Sequence, residues 1–301
     1  MTTTQGTAMP SQAIPRTKKR QSLELLRFLA MIFIVMGHLG GTGAQLGNTA
    51  LSLFILLSVA LSGASVARHG FRRFAISRLQ RILVPWLIWC GIYLALFTLL
   101  DGPAATFRLT NPLSLLIGPA LHLWFLPFML LVSPLIYVIA LVPRTIAAQA
   151  ALWIICSITA CVALYLYLTA ELPQPLIQWS SVFPTLLYGL LRGRGTPIYY
   201  ASFLVFICAI GVGMGAELPI VYLTLAVILF EVFMGLHINA TWPSRLGSTA
   251  FGIYLVHPAF IVFFTHFIPY ESNKKLLTGL VFVTSWIAVD LYYQVTARLS
   301  R

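Results

Sequence analysis

The chain has 301 residues, of which 59% are apolar or aromatic and only 9% are charged. A soluble domain carries about 25% charged residues, so a water-exposed globule of this size is excluded. Lys and Arg number 19 against 7 Asp and Glu, a net charge of +12. That excess fits either a nucleic-acid surface or cationic loops on one side of a membrane.

Residues 1–21 are rich in Thr, Ser, Gln, Pro, Lys and Arg, and read as a disordered basic cytoplasmic tail. The apolar run that follows is too long for a signal-peptide core and contains Glu24 and Arg27, so an uncleaved first helix is expected. Runs long enough to approach the roughly 20 residues of a crossing helix lie near 22–41, 47–67, 80–100, 120–142, 148–170, 179–192, 197–215, 218–237, 248–268 and 276–297. The expected fold class is therefore all-α, a polytopic integral membrane protein of about ten transmembrane helices. Nine and eleven are the neighbouring counts. The stretch 112–120 has the length of a partial insertion before the fourth span.

With the N-terminus in the cytoplasm, ten crossings put both termini there. The inner segments then hold Arg16, Lys18, Lys19, Arg20, Arg68, Arg72, Arg73, Arg78, Arg81, Arg144, Arg192, Arg194, Arg245, Arg298 and Arg301. Only Arg108, Lys274 and Lys275 fall outside. This is the positive-inside pattern, and it removes the case for nucleic acid. The four cysteines all lie in apolar runs without a CxxC pair, so neither a disulfide framework nor a metal site is expected.

Ionisable residues at membrane depth need a reason. The first span has Glu24, Arg27 and His38. Arg27 and His38 are eleven residues apart, within roughly 20° of one helix face and about 16 Å apart along the axis. Glu24, one turn before Arg27, is placed to pair with it. Arg78 and Arg81, at i and i+3 before the third span, suit bidentate phosphate holding, with Arg72 and Arg73 nearby. Anionic-lipid contact is the simpler alternative for such a cluster. His122-Leu-Trp124 opens the fourth span, and Tyr254 and His257 share a face of the ninth. Glu231 and Asp290 lack readable partners. Ser62 reads as a packing residue beside Gly63.

Five of these segments resemble, in order, the membrane-bound acyltransferase 3 family. They are Leu23-Glu24-Leu25-Leu26-Arg27 through His38, similar to the family's Arg-x10-His signature; Leu53-Phe54 to Ser62-Gly63, without the usual acidic residue ahead; Arg78-Leu-Gln-Arg81, similar to its Arg-x-x-Arg motif; His122-Leu-Trp124-Phe125; and Gly252-Ile-Tyr254-Leu-Val-His257-Pro258. The resemblance implies one acyltransferase-type transmembrane domain over 22–301 in a bacterial inner (plasma) membrane. It implies transfer of an acyl group, usually acetyl, from cytoplasmic acyl-CoA to a hydroxyl of a surface polysaccharide or lipid-linked glycan precursor. No bound cofactor is implied; acyl-CoA is the donor substrate, and the lipid bilayer and a glycan or glycolipid acceptor are the partners.

In that reading His38 and Arg27 are catalytic. A histidine titrates near neutrality and suits general-base work on a hydroxyl; His38 either deprotonates the acceptor or relays the acyl group. Arg27 holds the donor or stabilises the thioester oxyanion. Arg78, Arg81, Arg72 and Arg73 bind acyl-CoA. His122, Trp124, Tyr254 and His257 form the acceptor or oxyanion site, with Glu24 in support. Ten spans with buried ionisable groups also describe a secondary transporter or flippase of a glycan or small metabolite.

Overall fold

A computed structural model describes residues 20–40, 44–60, 62, 66, 70–100 and 112–299. Most of the tail expected at 1–21 lies outside the described residues, as do Gly63, Arg68, Arg108 and Arg301. All regular elements among the described residues are helical. They are α1 (Gln21–His38), α2 (Ala44–Ala60), α3 (Phe71–Arg78), α4 (Val84–Leu99), α5 (Pro112–Ile117), α6 (Phe125–Leu141), α7 (Ile146–Thr169), α8 (Leu176–Arg194), α9 (Pro197–Gly213), α10 (Glu217–Gly235), α11 (Trp242–Phe267) and α12 (Lys274–Leu299). One π-helical segment, Leu79–Leu83, joins α3 to α4, and a 3₁₀ turn, Leu121–Trp124, leads into α6.

Among the described residues, seven helices are long and apolar enough to cross a membrane: Gln21–His38, Phe71–Leu99, Leu121–Leu141, Ile146–Thr169, Glu217–Gly235, Trp242–Phe267 and Lys274–Leu299. The other three expected spans correspond to helices too, but shorter or less apolar ones. α2 and α9 have 17 residues each, and α8 has 19. The protein is therefore an all-helical, multi-pass membrane protein. Large apolar side chains such as Ile154, Val205, Ile228 and Leu291 face outward, as expected where lipid replaces water around the bundle.

The helix ends are set by local chemistry. Thr145 caps α7, its hydroxyl accepting from the Ala148 N–H at 3.3 Å. Pro197 begins α9, where its missing N–H costs nothing. α8 stops at Gly195, whose φ of +80° is the left-handed conformation glycine adopts without strain. The first turn of α11 is capped from α1: Gln21 Oε1 accepts from Ser244 N and Ser244 Oγ at 3.0 and 2.8 Å. The short α5 occupies the stretch expected as a partial insertion.

α1 packs on α2 and α11, and α2 on α8 and α10. Small residues allow the closest approach. A Cβ on Gly47 of α2 would stand 2.6 Å from the Gly37 Cα of α1, so these two backbones are nearly in contact. α11 comes equally near α1 at Gly247, where a Cβ would lie 2.6 Å from the Glu24 carbonyl oxygen.

Polar bonds mark the two ends of the bundle. At one end Arg20 reaches the Met234 carbonyl, Arg78 reaches Ser62, Arg192 pairs with Glu231, and Arg245 pairs with Asp290. At the other, Tyr270 Oη donates to the Leu39 carbonyl at 2.6 Å, just past His38. Arginines thus gather where α1 begins, and His38 stands where it ends. The partners of Glu231 and Asp290, unreadable before, are Arg192 at 2.5 Å and Arg245 at 2.7 Å.

Candidate functional site

Three histidines from three elements meet at the α1 C-terminus. His38 closes α1, His122 lies in the 3₁₀ turn, and His257 lies in α11. Ring centroids are 5.0 Å apart for His38 and His257, 5.5 Å for His122 and His257, and 6.3 Å for His38 and His122. Tyr254 stands 5.4 Å from His122, and its hydroxyl donates to the His122 carbonyl. Tyr93 of α4 packs edge-on to His122 at 5.2 Å and donates to the Leu255 carbonyl at 2.7 Å.

The three imidazoles are not equivalent. His257 is fully buried and His122 nearly so. His38 is exposed, and it lines a cavity of about 290 Å³, close to the lower bound for small-molecule sites, roughly 300 Å³. His122, Trp124 and Tyr254 line the same cavity, together with Asn48 of α2 and Gln178 of α8. Gln178 Oε1 is buried there without a protein partner, as is His122 Nε2. The walls thus offer one accessible imidazole, two amides and aromatic faces.

The Tyr254-Leu-Val-His257-Pro258 run has a local physical meaning. Pro258 lies inside α11 and has no N–H to give the carbonyl four residues before it, that of Tyr254. His257 Nδ1 takes up that acceptor at 2.9 Å and also lies 3.1 Å from the Ile253 carbonyl. Two carbonyls on one ring nitrogen require that nitrogen to carry the proton. Nε2 is then the lone-pair nitrogen, and it has no partner among the described residues. A backbone defect at lipid depth is thereby repaired by a side chain, which also sets the tautomer.

The arginines separate. Arg27 pairs with Glu24 at 3.0 Å, as the i, i+3 spacing predicts, and stands about 16 Å along the α1 axis from His38. Arg27 shares a stripe with His38 but not the histidine cavity. Arg78 is half-buried: it donates to Ser62 Oγ at 2.5 Å and lies over the Phe74 ring at 5.0 Å. Ser62 therefore anchors an arginine, a role beyond the packing expected of it. Arg81 falls in the π segment, which breaks the 3.6-residue register, and is exposed. Arg72 and Arg73 are exposed on a shallow depression with Gly70, Phe71 and Ile76.

The sequence motifs point to five of the cavity and cluster residues, His38, His122, Trp124, Tyr254 and His257, but not to Tyr93, Asn48 and Gln178. None of the three sits in a motif. Asn48 and Gln178 were legible only as polar residues near the ends of apolar runs.

A multi-pass helical bundle with an accessible imidazole in a pocket of mixed polar and apolar lining places the chain among helical membrane proteins with a cavity at one end. The family model for the acyltransferase domain of the acyltransferase 3 type matches residues 20–292, and the chain belongs to that family. It is a membrane acyltransferase. No curated protein and no solved structure matched the chain.

Proposed function

We propose that the protein moves an acyl group, acetyl in the first instance, from cytoplasmic acyl-CoA to a hydroxyl of a surface polysaccharide or lipid-linked glycan precursor. In this reading it crosses the bacterial inner membrane ten times, with both termini and the arginine-rich end in the cytoplasm. One observation carries the proposal: His38 is the exposed member of a histidine cluster and opens into a pocket of amides and aromatic rings.

The chemistry follows from the residues. The acceptor hydroxyl enters the cavity and donates to His38. The amides of Asn48 and Gln178 hold neighbouring hydroxyls, and the Trp124 face covers the sugar. His38 takes the proton as the oxygen attacks the thioester carbonyl. The C–S bond breaks, and the proton passes to the departing thiolate, giving the ester and free CoA. Transfer through an acyl-His38 intermediate uses the same residue in two steps. His257 Nε2, a lone-pair nitrogen in the same cluster, is an acceptor for a ring N–H of His38 and so favours the protonated ring that forms as the hydroxyl loses its proton. Arg78, fixed by Ser62 and Phe74, holds the anionic part of the donor, with Arg81, Arg72 and Arg73 around it. Arg27, paired with Glu24, lies on the path between the two ends.

The test is transfer itself. Full-length protein in lipid nanodiscs receives labelled acetyl-CoA and a glycan acceptor, and acetylated glycan is counted. His38→Ala is expected to lower the rate by about 10²–10⁴-fold, the range for loss of a general base, with membrane level unchanged. A His38→Ala protein as active as wild type sinks the catalytic assignment.

A further inference from the structure

A second cavity, of about 270 Å³, opens between α2, α6 and α8 at the arginine-rich end. Val59, Ile136 and Leu190 give it apolar walls, and two arginines, Arg144 and Arg194, line it. Arg144 is exposed; Arg194 is only 8% exposed.

Arg194 is held from one side. Its terminal nitrogens donate to the carbonyls of Ile139, Ala140, Val142 and Pro143 at 3.3, 3.1, 2.5 and 3.1 Å. These are the unpaired carbonyls at the α6 C-terminus, so the guanidinium caps that helix and meets the negative end of its dipole. The remaining donor, Nε–H, is buried without a partner. None of the ion pairs among the described residues brings a carboxylate to Arg144 or Arg194. The contrast is Arg192, two residues away, which is neutralised by Glu231 through two bonds of 2.5 and 3.0 Å. Two arginines without a carboxylate partner among the described residues and an apolar slot thus line one space. The α6 carbonyls hold the Arg194 guanidinium in the cavity wall, and they leave its formal charge without a counter-ion.

We infer that the cavity is an anion site for a phosphate ester with a chain-like tail, the phosphate between Arg144 and Arg194 and the tail along α2. The coenzyme A donor and an anionic phospholipid present the same chemistry here. Assigning the ester to the donor rests on the function proposed above; the anion site does not. The cavity adjoins the Arg78 motif: Val66, in its wall, donates its N–H to the Ser62 carbonyl at 3.1 Å, and Ser62 Oγ holds Arg78.

Binding of unacylated CoA to full-length protein in phosphatidylcholine nanodiscs tests this without turnover. Arg144→Gln removes a cation. Gly193→Leu fills the cavity, since a Cβ there meets the nearest atoms, the Ala60 carbonyl oxygen and Cα, only at 3.9 and 4.0 Å. Arg194 itself is left in place because it caps α6. Each variant is expected to weaken CoA binding about tenfold, the order of one lost charge-assisted bond, with the thermal midpoint unchanged. In a second arm, protein reconstituted with phosphatidylglycerol is examined by native mass spectrometry for retained lipid. Loss of retained lipid with unaltered CoA affinity assigns the site to the phospholipid and keeps it. Wild-type protein that binds no CoA but loses lipid on substitution overturns the donor reading and not the site. Variants indistinguishable from wild type in both arms overturn the site.

Discussion

His38 of α1 and His257 of α11 stand with their ring centroids 5.0 Å apart, one open to a cavity and the other fully buried. In the proposed reaction the pairing divides labour between an imidazole that meets the substrate and one that acts through its neighbour. His257→Gln retains a polar group but loses the ring, so kcat is expected to fall about tenfold or more, the scale seen when a group orienting a reactive residue is removed. KM for the acceptor stays near wild type. A change confined to KM would show that His257 shapes the pocket instead of supporting His38.

Pro258 is expected to matter through the carbonyl it frees. Pro258→Ala restores an N–H that competes with His257 Nδ1 for the Tyr254 carbonyl. The helix gains a hydrogen bond worth about 1 kcal/mol, so the melting temperature rises or holds while kcat falls. Unchanged kcat with raised stability would separate the proline from the function of His257.

Among the motif arginines, Arg78 and Arg81 are expected to differ. Arg78→Ala removes a guanidinium fixed by Ser62 and stacked on Phe74, and should raise KM for acyl-CoA more than Arg81→Ala, whose side chain is exposed. Arg78→Lys should recover little, because a lysine keeps the charge without the planar fork. Steady-state kinetics on the three variants at equal protein level decides it; equal effects of the two alanine substitutions would contradict the structure.

Close helix contact makes a stability prediction. Gly47→Val places a Cβ 2.6 Å from the Gly37 Cα, which is backbone and has no rotamer to yield. A loss of about 1–3 kcal/mol is expected, as in overpacked cores, read as a lower melting temperature in detergent. Gly213→Ala meets nothing within 4 Å and should leave the melting temperature unchanged or slightly raised. Equal melting temperatures for Gly47→Val and wild type would show that α1 and α2 separate readily.

Much of the architecture was readable because apolar runs report membrane depth directly. The run near 276–297 became Lys274–Leu299, and that near 148–170 became Ile146–Thr169. Helix spacing also foretold the Glu24–Arg27 pair, since i and i+3 neighbours meet wherever a helix forms. The Arg78–Arg81 spacing could not show that a π segment, Leu79–Leu83, intervenes between the α-helices on either side. Tyr93, Asn48 and Gln178 carry no periodic signal, and their place beside His122 depends on which helices touch.

By its sequence alone this chain determined that it is a helical, multi-pass membrane protein, because burying backbone in hydrocarbon demands long apolar helices. The order of its motifs also determined the family. Only the tertiary structure decided that His38, His122 and His257 converge and that His38 alone of them is exposed. It also decided that Arg194 turns inward to cap α6 beside an apolar cavity. A helix pattern fixes which residues share a face; which face meets which neighbour comes from packing between segments far apart in the chain, at glycines small enough to let the backbones close.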